Sequence, residues 1–448
     1  MSSDKDNYWI KSGLINLIQN FSGTILSLAI FFILVRLLDK HDYGVWGLYM
    51  QTITILEFIR NGLVQSALIK FMSGSDAKEH NHIFSATLTI SGSLTLVCII
   101  LNLLFAGYLA DALNAPELKP MFYLYNIVFI FSGVLTQINC VEQANLKYVG
   151  VFVSNTVRQI ILCLFLVVVF FGNMKTDVMT LVWVQIFCTI VGLIISWFYT
   201  RKYIHFKYVF SKGWMLRIFH YGKYAFATWV SSILAGTIDQ WMLAGIISPV
   251  ASGAFSIAVR IGNLIDIPTN AVATIVFPQS AKRIETEGKG AIKYLYERSV
   301  GIILAMVIPA VIFIYVFDAF FLRLLAGDKY ANAVPILNVT LLYCIFGPFG
   351  RQFGVIMDSI GKTRVTSFVV ILNAVVVLVL NYFLIHRYGV MGAAYSTLIA
   401  NVFGFIVAQT ILHKELRVNA FNALIYAYRF YPEFWNRYIR KRMPESTS

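Results

Sequence analysis

IFSATLTISGSLTLVCIILNLLFAG, residues 83–107, contains no Asp, Glu, Lys or Arg. A spanning helix needs about 20 mostly apolar residues to cross about 30 Å of hydrocarbon. Lipid offers the backbone no hydrogen-bond partner, so a block of this kind becomes a helix whose peptide groups bond to one another. Eleven further blocks flank it, near 12–35, 43–69, 120–141, 150–172, 178–199, 218–246, 251–280, 299–317, 332–358, 364–385 and 389–412. Seven of the twelve have no charged residue in their interior. The whole chain agrees: of 448 residues, 58% are hydrophobic and only 13% charged, where soluble domains carry about 25% charged residues. The expectation is an all-α, polytopic membrane protein of about 12 transmembrane helices.

The residues between the blocks orient it. Lys and Arg number 24 at the two termini and in the even-numbered loops against 7 in the odd-numbered loops. The expectation is that both termini are cytoplasmic. The net charge of +14 then reflects anionic headgroups rather than nucleic acid, because the basic residues sit between blocks and at the C-terminus. Asp4, Lys5 and Asp6 open the chain and no small-residue cleavage site follows, so no removable leader is expected. Cys98, Cys140, Cys163, Cys188 and Cys344 all lie in apolar blocks without a CxxC, and read as packing residues rather than disulfides or metal ligands.

The chain repeats itself at a shift of 209. Gly13 falls on Gly222, Ser22 on Ser231, Leu34 on Leu243, Gly44 on Gly253 and Asn61 on Asn270, while acidic Glu57 falls on acidic Asp266. Six helices per repeat is an even number, so both halves enter the membrane in the same direction as parallel bundles. The domain expectation is an N-terminal lobe at 1–205, a C-terminal lobe at 206–415 and a cytoplasmic amphipathic tail at 416–448. In the tail, Phe421, Leu424, Ile425 and Tyr428 keep helical spacing, and Arg429, Arg437, Arg440, Lys441 and Arg442 add charge. It reads either as an interfacial helix on the anionic leaflet or as a surface helix packed on the loops.

Charge inside a span costs at least ~2.5–3.5 kcal/mol, and survives where it meets a wet cavity or a partner. The cations are Arg60, Arg158, Lys223, Arg260 and Arg351; the acids are Glu57, Asp239, Asp266 and Asp358. Glu57 and Arg60 are three apart and can pair on one face. Lys223 and Arg158 lie towards the cytoplasmic ends of their spans, within snorkelling range or nearly so. Arg260 lies about 13 Å into its span, too deep to snorkel easily, and either pairs with Asp239 across the hairpin or lines a cavity with Arg60 and Arg351. Helix breakers gather nearby: Pro268 follows Asp266, Gly347-Pro348-Phe349-Gly350 precedes Arg351, and Pro309 interrupts the ninth span. Interrupted helices beside charges point to transporter binding sites. Asn16, Gln19 and Asn20 share a face of the first span, serving either sugar hydroxyls or interhelical hydrogen bonds.

Several stretches carry a family resemblance. They are Arg36-Leu37-Leu38 with Asp42-Tyr43-Gly44-Val45-Trp46-Gly47-Leu48, Ile238-Asp239-Gln240-Trp241, Ser252 to Arg260, Phe277-Pro278, Gly361-Lys362-Thr363 and Tyr388-Gly389-Val390-Met391-Gly392-Ala393-Ala394. As an ordered set they resemble the bacterial oligosaccharide flippases of the O-antigen and capsule type, polysaccharide biosynthesis proteins in the superfamily of multidrug and toxin extrusion (MATE) antiporters and lipid II flippases. The resemblance implies two six-helix bundles around a central cavity. It also implies translocation of undecaprenyl-pyrophosphate-linked oligosaccharide from the cytoplasmic to the periplasmic leaflet, beside polysaccharide polymerase machinery. No cofactor is expected beyond a coupling proton or sodium ion. The first span holds no charge, a departure that disfavours a peptidoglycan substrate.

The chemistry fits that substrate class. Arginine favours bidentate phosphate contacts, so Arg260, Arg60 and Arg351, with Arg158 and Lys223, are the candidate pyrophosphate ligands. Asp266, Asp239 and Glu57 are the candidate ion-coupling acids. A drug/cation antiporter of the same fold is one rival, but five bases against four acids in the spans lean towards an anion. A polysaccharide polymerase or ligase is the other. No HExxH, GxSxG or P-loop occurs and the non-cytoplasmic loops are short, which disfavours an enzyme.

Overall fold

The computed structural model describes residues 22–434, except 74, 76, 146, 204–208, 271, 274–275, 277–279, 281–282 and 284–286, together with the side chains of 77–78, 223–225, 227–235, 289 and 434. The described residues are about 90% helical, with no strand among them. Within the described residues the expected spans coincide with helix: α1 (Ser22–Leu37, its described part), α2 (Lys40–Ser73), α3 (Ala77–Ala112), α4 (Leu118–Ala144), α5 (Val149–Phe171), α6 (Val178–Thr200), α7 (Lys212–Ile246) and α8 (Pro249–Ile265). After these come α9 (Lys289–Val316), the short α10 (Asp318–Ala326), α11 (Val334–Cys344), α12 (Gly347–Ser359), α13 (Thr363–Tyr388), α14 (Val390–Leu416) and α15 (Ala420–Phe434). Eight described segments are long and apolar enough to cross a membrane, while α2 and α7 fall outside that set. Those two hold Glu57, Arg60, Lys223 and Asp239, and they form long helices all the same.

Two compact units emerge: Met1–Thr237 with Ser248–Gly253, and Ile238–Ile247 with Ala254–Ser448. In the first, α4 is the central helix, packed by α2, α3 and α6, and α5 lies on α6. Chain turns there are pinned by acids at helix starts, where unpaired N–H groups need acceptors. Asp177 caps α6, accepting from the Thr180 N–H at 2.9 Å and its hydroxyl at 2.5 Å. Those bonds hold the Asp177 carboxyl below its usual range. Buried Glu142 caps α5 from α4, accepting from the Gly150 N–H at 2.7 Å. Repeat-related Gly44 and Gly253 touch: a Cβ on Gly253 would lie 3.2 Å from the Gly44 Cα, and one on Gly44 would lie 2.1 Å from the Pro249 carbonyl oxygen. Only glycine permits backbones to approach this closely.

In the second unit α13 pairs with α14, α11 and α12 lie on α14, and α15 lies along α9. Gly361 and Gly389, both in the stretches that carry the resemblance, have φ of +80° and +60° and turn the chain between helices. The helix breakers act at two places. α8 ends at Ile265 and the chain turns at Asp266 before Pro268, while α11 ends at Cys344 and α12 begins at Gly347-Pro348. Pro309 is carried inside α9 without ending it.

Outward faces are apolar. Leu104 (69% exposed), Phe171 (77%) and Phe383 (65%) sit on helices long enough to span, so lipid is the medium that tolerates them.

Candidate functional site

In the second unit, the two interrupted helices meet. Asp266 Oδ1 lies 3.2 Å from where a Cβ on Gly347 would stand, so the acid at one break faces the first residue of α12 at the other. Cys344 and Thr340 of α11 touch Gly262 of α8, within 3.2 and 3.0 Å of a Cβ built there, which locks the two elements together. One turn into α12, exposed Arg351 donates from Nη2 to Asn270 Oδ1 at 2.5 Å. Asp266 is near enough for Arg351 to act on it electrostatically, yet no ion pair forms between them among the described residues. The guanidinium is thus steered by a neutral amide and a nearby acid, and no acid touches it directly among the described residues.

Asp239, in the part of α7 belonging to this unit, is 7% exposed. Asn381 Nδ2 of α13 donates to its Oδ1 at 2.5 Å, and the Thr397 hydroxyl of α14 donates to its Oδ2 at 3.0 Å. Neither partner is a cation, and of the two alternatives for Arg260 the pairing with Asp239 does not occur among the described residues. The hairpin geometry allowed that pairing, but α13 and α14 present their own polar groups to the acid. Asn381 Oδ1 is buried without a partner among the described residues. Arg260 itself is exposed on α8.

The first unit treats its charges differently. Arg60 is 0% exposed. It donates to the Phe129 carbonyl at 2.5 Å, to Ser132 Oγ at 3.3 and 3.2 Å and to Asn61 Oδ1 at 3.0 Å, and lies 4.3 Å over the Phe129 ring. Glu57 is an electrostatic neighbour, but the expected Glu57–Arg60 ion pair is absent among the described residues. The reason is that α4 supplies a carbonyl, a hydroxyl and a π-face that hold the guanidinium. Arg158 lies across Gly192 of α6, whose Cβ would stand 2.5 Å from its Cδ, and donates to Thr189 Oγ1 at 3.5 Å. Its Nε is buried without a partner among the described residues. The Lys223 side chain, Asn16, Gln19, Asn20, Phe277-Pro278 and the tail beyond residue 434 lie outside the described residues.

Sequence reasoning found the charges but not their neutral partners. Asn270 carried a signal, since the repeat sets it on Asn61. Asn381 and Thr397 carried none beyond polarity in an apolar span. Among the described residues no cluster of His, Cys, Asp and Glu could hold a metal ion.

Polytopic helices, paired interruptions and charges placed at them define a multi-pass transporter-type membrane protein. A family model described as "Polysaccharide biosynthesis protein" matches residues 33–335, and the chain belongs to that family. It is 22% identical to an uncharacterized membrane protein of Methanocaldococcus jannaschii, over 83% of this chain and 76% of that one. It is 21% identical to the lipopolysaccharide biosynthesis protein WzxC of Escherichia coli, over 74% and 66%, and 23% identical to a putative O-antigen transporter of Shigella flexneri, over 50% and 53%. Among solved structures it resembles the lipid II flippase MurJ in an inward closed conformation, with TM-score 0.72 and 15% identity over 96% of this chain and 93% of that one. An inward-facing MATE family multidrug resistance transporter gives TM-score 0.75 and 14% identity over 87% and 94%. The fold is MATE-like, and the Shigella relative and the two solved neighbours are named as transporters or a flippase.

Proposed function

We propose that this protein is a lipid-linked oligosaccharide flippase. It moves undecaprenyl-pyrophosphate-linked repeat units across the inner membrane for surface polysaccharide assembly, feeding polymerase machinery on the far side. The observation that carries this reading is Arg351, exposed at the meeting of two helix breaks and steered by Asn270, with no acid touching it directly among the described residues. A diphosphate cannot enter hydrocarbon unaided, and a guanidinium held in place offers it planar, charge-assisted hydrogen bonds in exchange for water. Arg260 is the second ligand in this reading. Arg158 joins on any rearrangement that frees it from Thr189, and Lys223 is retained from its sequence position alone. Arg60 is assigned to the packing of the first unit, since a group with no exposed surface meets no substrate in this conformation.

Asp239 is the proposed ion-coupling acid. A buried carboxylate held by two neutral donors has a place for a proton or a sodium ion to complete its charge balance. Asp266 is proposed to respond to substrate through Arg351. The lobes then alternate in access, with the ion gradient biasing two states of different affinity, and both termini are cytoplasmic.

The test is translocation of a lipid-linked oligosaccharide in proteoliposomes, read by lectin accessibility. Arg351→Ala and Arg260→Ala are expected to slow it with folding intact, and Asp239→Asn to remove its response to an imposed proton or sodium gradient. Undiminished translocation in both arginine variants would overturn the reading. Export of cationic drugs without oligosaccharide transport would favour the antiporter.

A further inference from the structure

α15 is inside-out for a helix in water. Phe421, Leu424, Ile425 and Tyr428 recur at i, i+3, i+4 and i+7, the spacing that in a soluble protein marks the buried stripe. Here they are the outward face, with exposures of 74%, 48%, 50% and 79%. The inward face centres on small residues, with Ala423 0% and Ala427 7% exposed, and Phe430 packs beside them. They meet Gly301 of α9 so closely that a Cβ there would stand 2.6 Å from the Tyr426 Cβ, 2.8 Å from the Ala423 carbonyl oxygen and 3.1 Å from the Ala427 nitrogen. Small residues four apart against a glycine are the packing that helices use within bilayers, where bulky apolar side chains gain nothing by hiding from their surroundings.

Several contacts set where α15 lies along α9. At its start, Glu297 accepts from the Asn419 N–H at 2.8 Å and from Asn422 Nδ2 at 3.0 Å. Towards its end, the Tyr431 hydroxyl donates to the Ala305 carbonyl at 2.6 Å, eight residues or about 12 Å of rise further along α9. This stretch falls within the segment Gly290–Val316, which is long and apolar enough to cross a membrane. Around the apolar stripe stand exposed Lys414, Arg417 and Arg429, placed to meet anionic headgroups.

We infer that α15 is seated in the membrane leaflet bordering the start of α9, with lipid acyl chains covering Phe421, Leu424, Ile425 and Tyr428. This holds whatever the protein carries. It corrects the surface-helix alternative by the direction of the stripe: a helix packed on cytoplasmic loops would turn those four residues inward.

The experiment places an environment-sensitive bimane label at Phe421→Cys, Ile425→Cys or Tyr428→Cys in the full chain, reconstituted in vesicles of phosphatidylcholine and phosphatidylglycerol. The unsubstituted protein supplies the labelling background from its own cysteines. Acyl-brominated lipids should quench all three labels about twofold, and aqueous iodide should leave them nearly unquenched, as befits residues buried ~5–10 Å below the headgroup boundary. Iodide quenching without bromolipid quenching would overturn the inference and give the face to water. Protection from both would also overturn it and give the face to another protein. A hydrophobic diazirine dissolved in the bilayer offers a second readout on the unsubstituted chain. It should label the α15 peptide as it labels α9, and labelling of α9 alone would equally refute the assignment.

Discussion

Glu57–Asn61 and Asp266–Asn270 are the same pattern written twice. Each has an acid, then an asparagine four residues on, and the two copies align under the 209-residue repeat. In each copy the asparagine oxygen accepts from an arginine, at 3.0 Å from Arg60 and at 2.5 Å from Arg351. The helices around them differ. α2 runs unbroken past Glu57, and Arg60, one turn away, is drawn into α4 until nothing of it is exposed. α8 stops before Asp266, and the arginine comes instead from α12, where it stays exposed. A continuous helix turned a charge into a packing element, and a broken one left a charge available to a ligand. Sequence similarity between the halves is therefore no guide to similarity of role.

Exchanging the two arginines for alanine should break this symmetry in opposite ways. Arg60→Ala removes a fully buried side chain with its hydrogen bonds and ring contact, and is expected to cost about 3 kcal/mol, read as a lowered thermal midpoint in detergent. A normal midpoint with transport lost would place Arg60 in the substrate path. Arg351→Ala should leave the midpoint unchanged and slow translocation about tenfold, equivalent to roughly 1.4 kcal/mol of barrier. If it melts early instead, Arg351 is structural and the contrast collapses.

The acids sharpen it further. Asp266→Asn should alter translocation by a few-fold through the charge that Arg351 feels, whereas Glu57→Gln should change expression and melting more than rate. The smallest effect belongs to the asparagines. Asn270→Ala is expected to raise the apparent KM for substrate with little change in kcat, because the steered guanidinium regains freedom. Asn61→Ala should cost only about 1 kcal/mol of stability for one lost hydrogen bond, with KM untouched.

Much of this molecule was legible beforehand. Within the described residues the expected spans coincide with helix, and the breaks at Asp266 and Gly347-Pro348 lie where proline and glycine foretold. Legibility failed where a charge had to choose a partner. Hairpin geometry allowed Asp239 to pair with Arg260, yet Asp239 took Asn381 and Thr397, which lie 142 and 158 residues away. Helical spacing allowed Glu57 and Arg60 to pair, yet α4 claimed the arginine. The tail displayed its apolar stripe plainly, but spacing says only that a face exists and not which way it turns.

The sequence alone determined what lipid imposes locally: unbroken apolar length makes helices, and proline or glycine interrupts them, because both effects act within a few residues of chain. Only the tertiary structure decided which charges are satisfied and which remain exposed. That outcome depends on carbonyls, amides and small residues brought from distant helices to within 3 Å, and no periodicity along one segment records them.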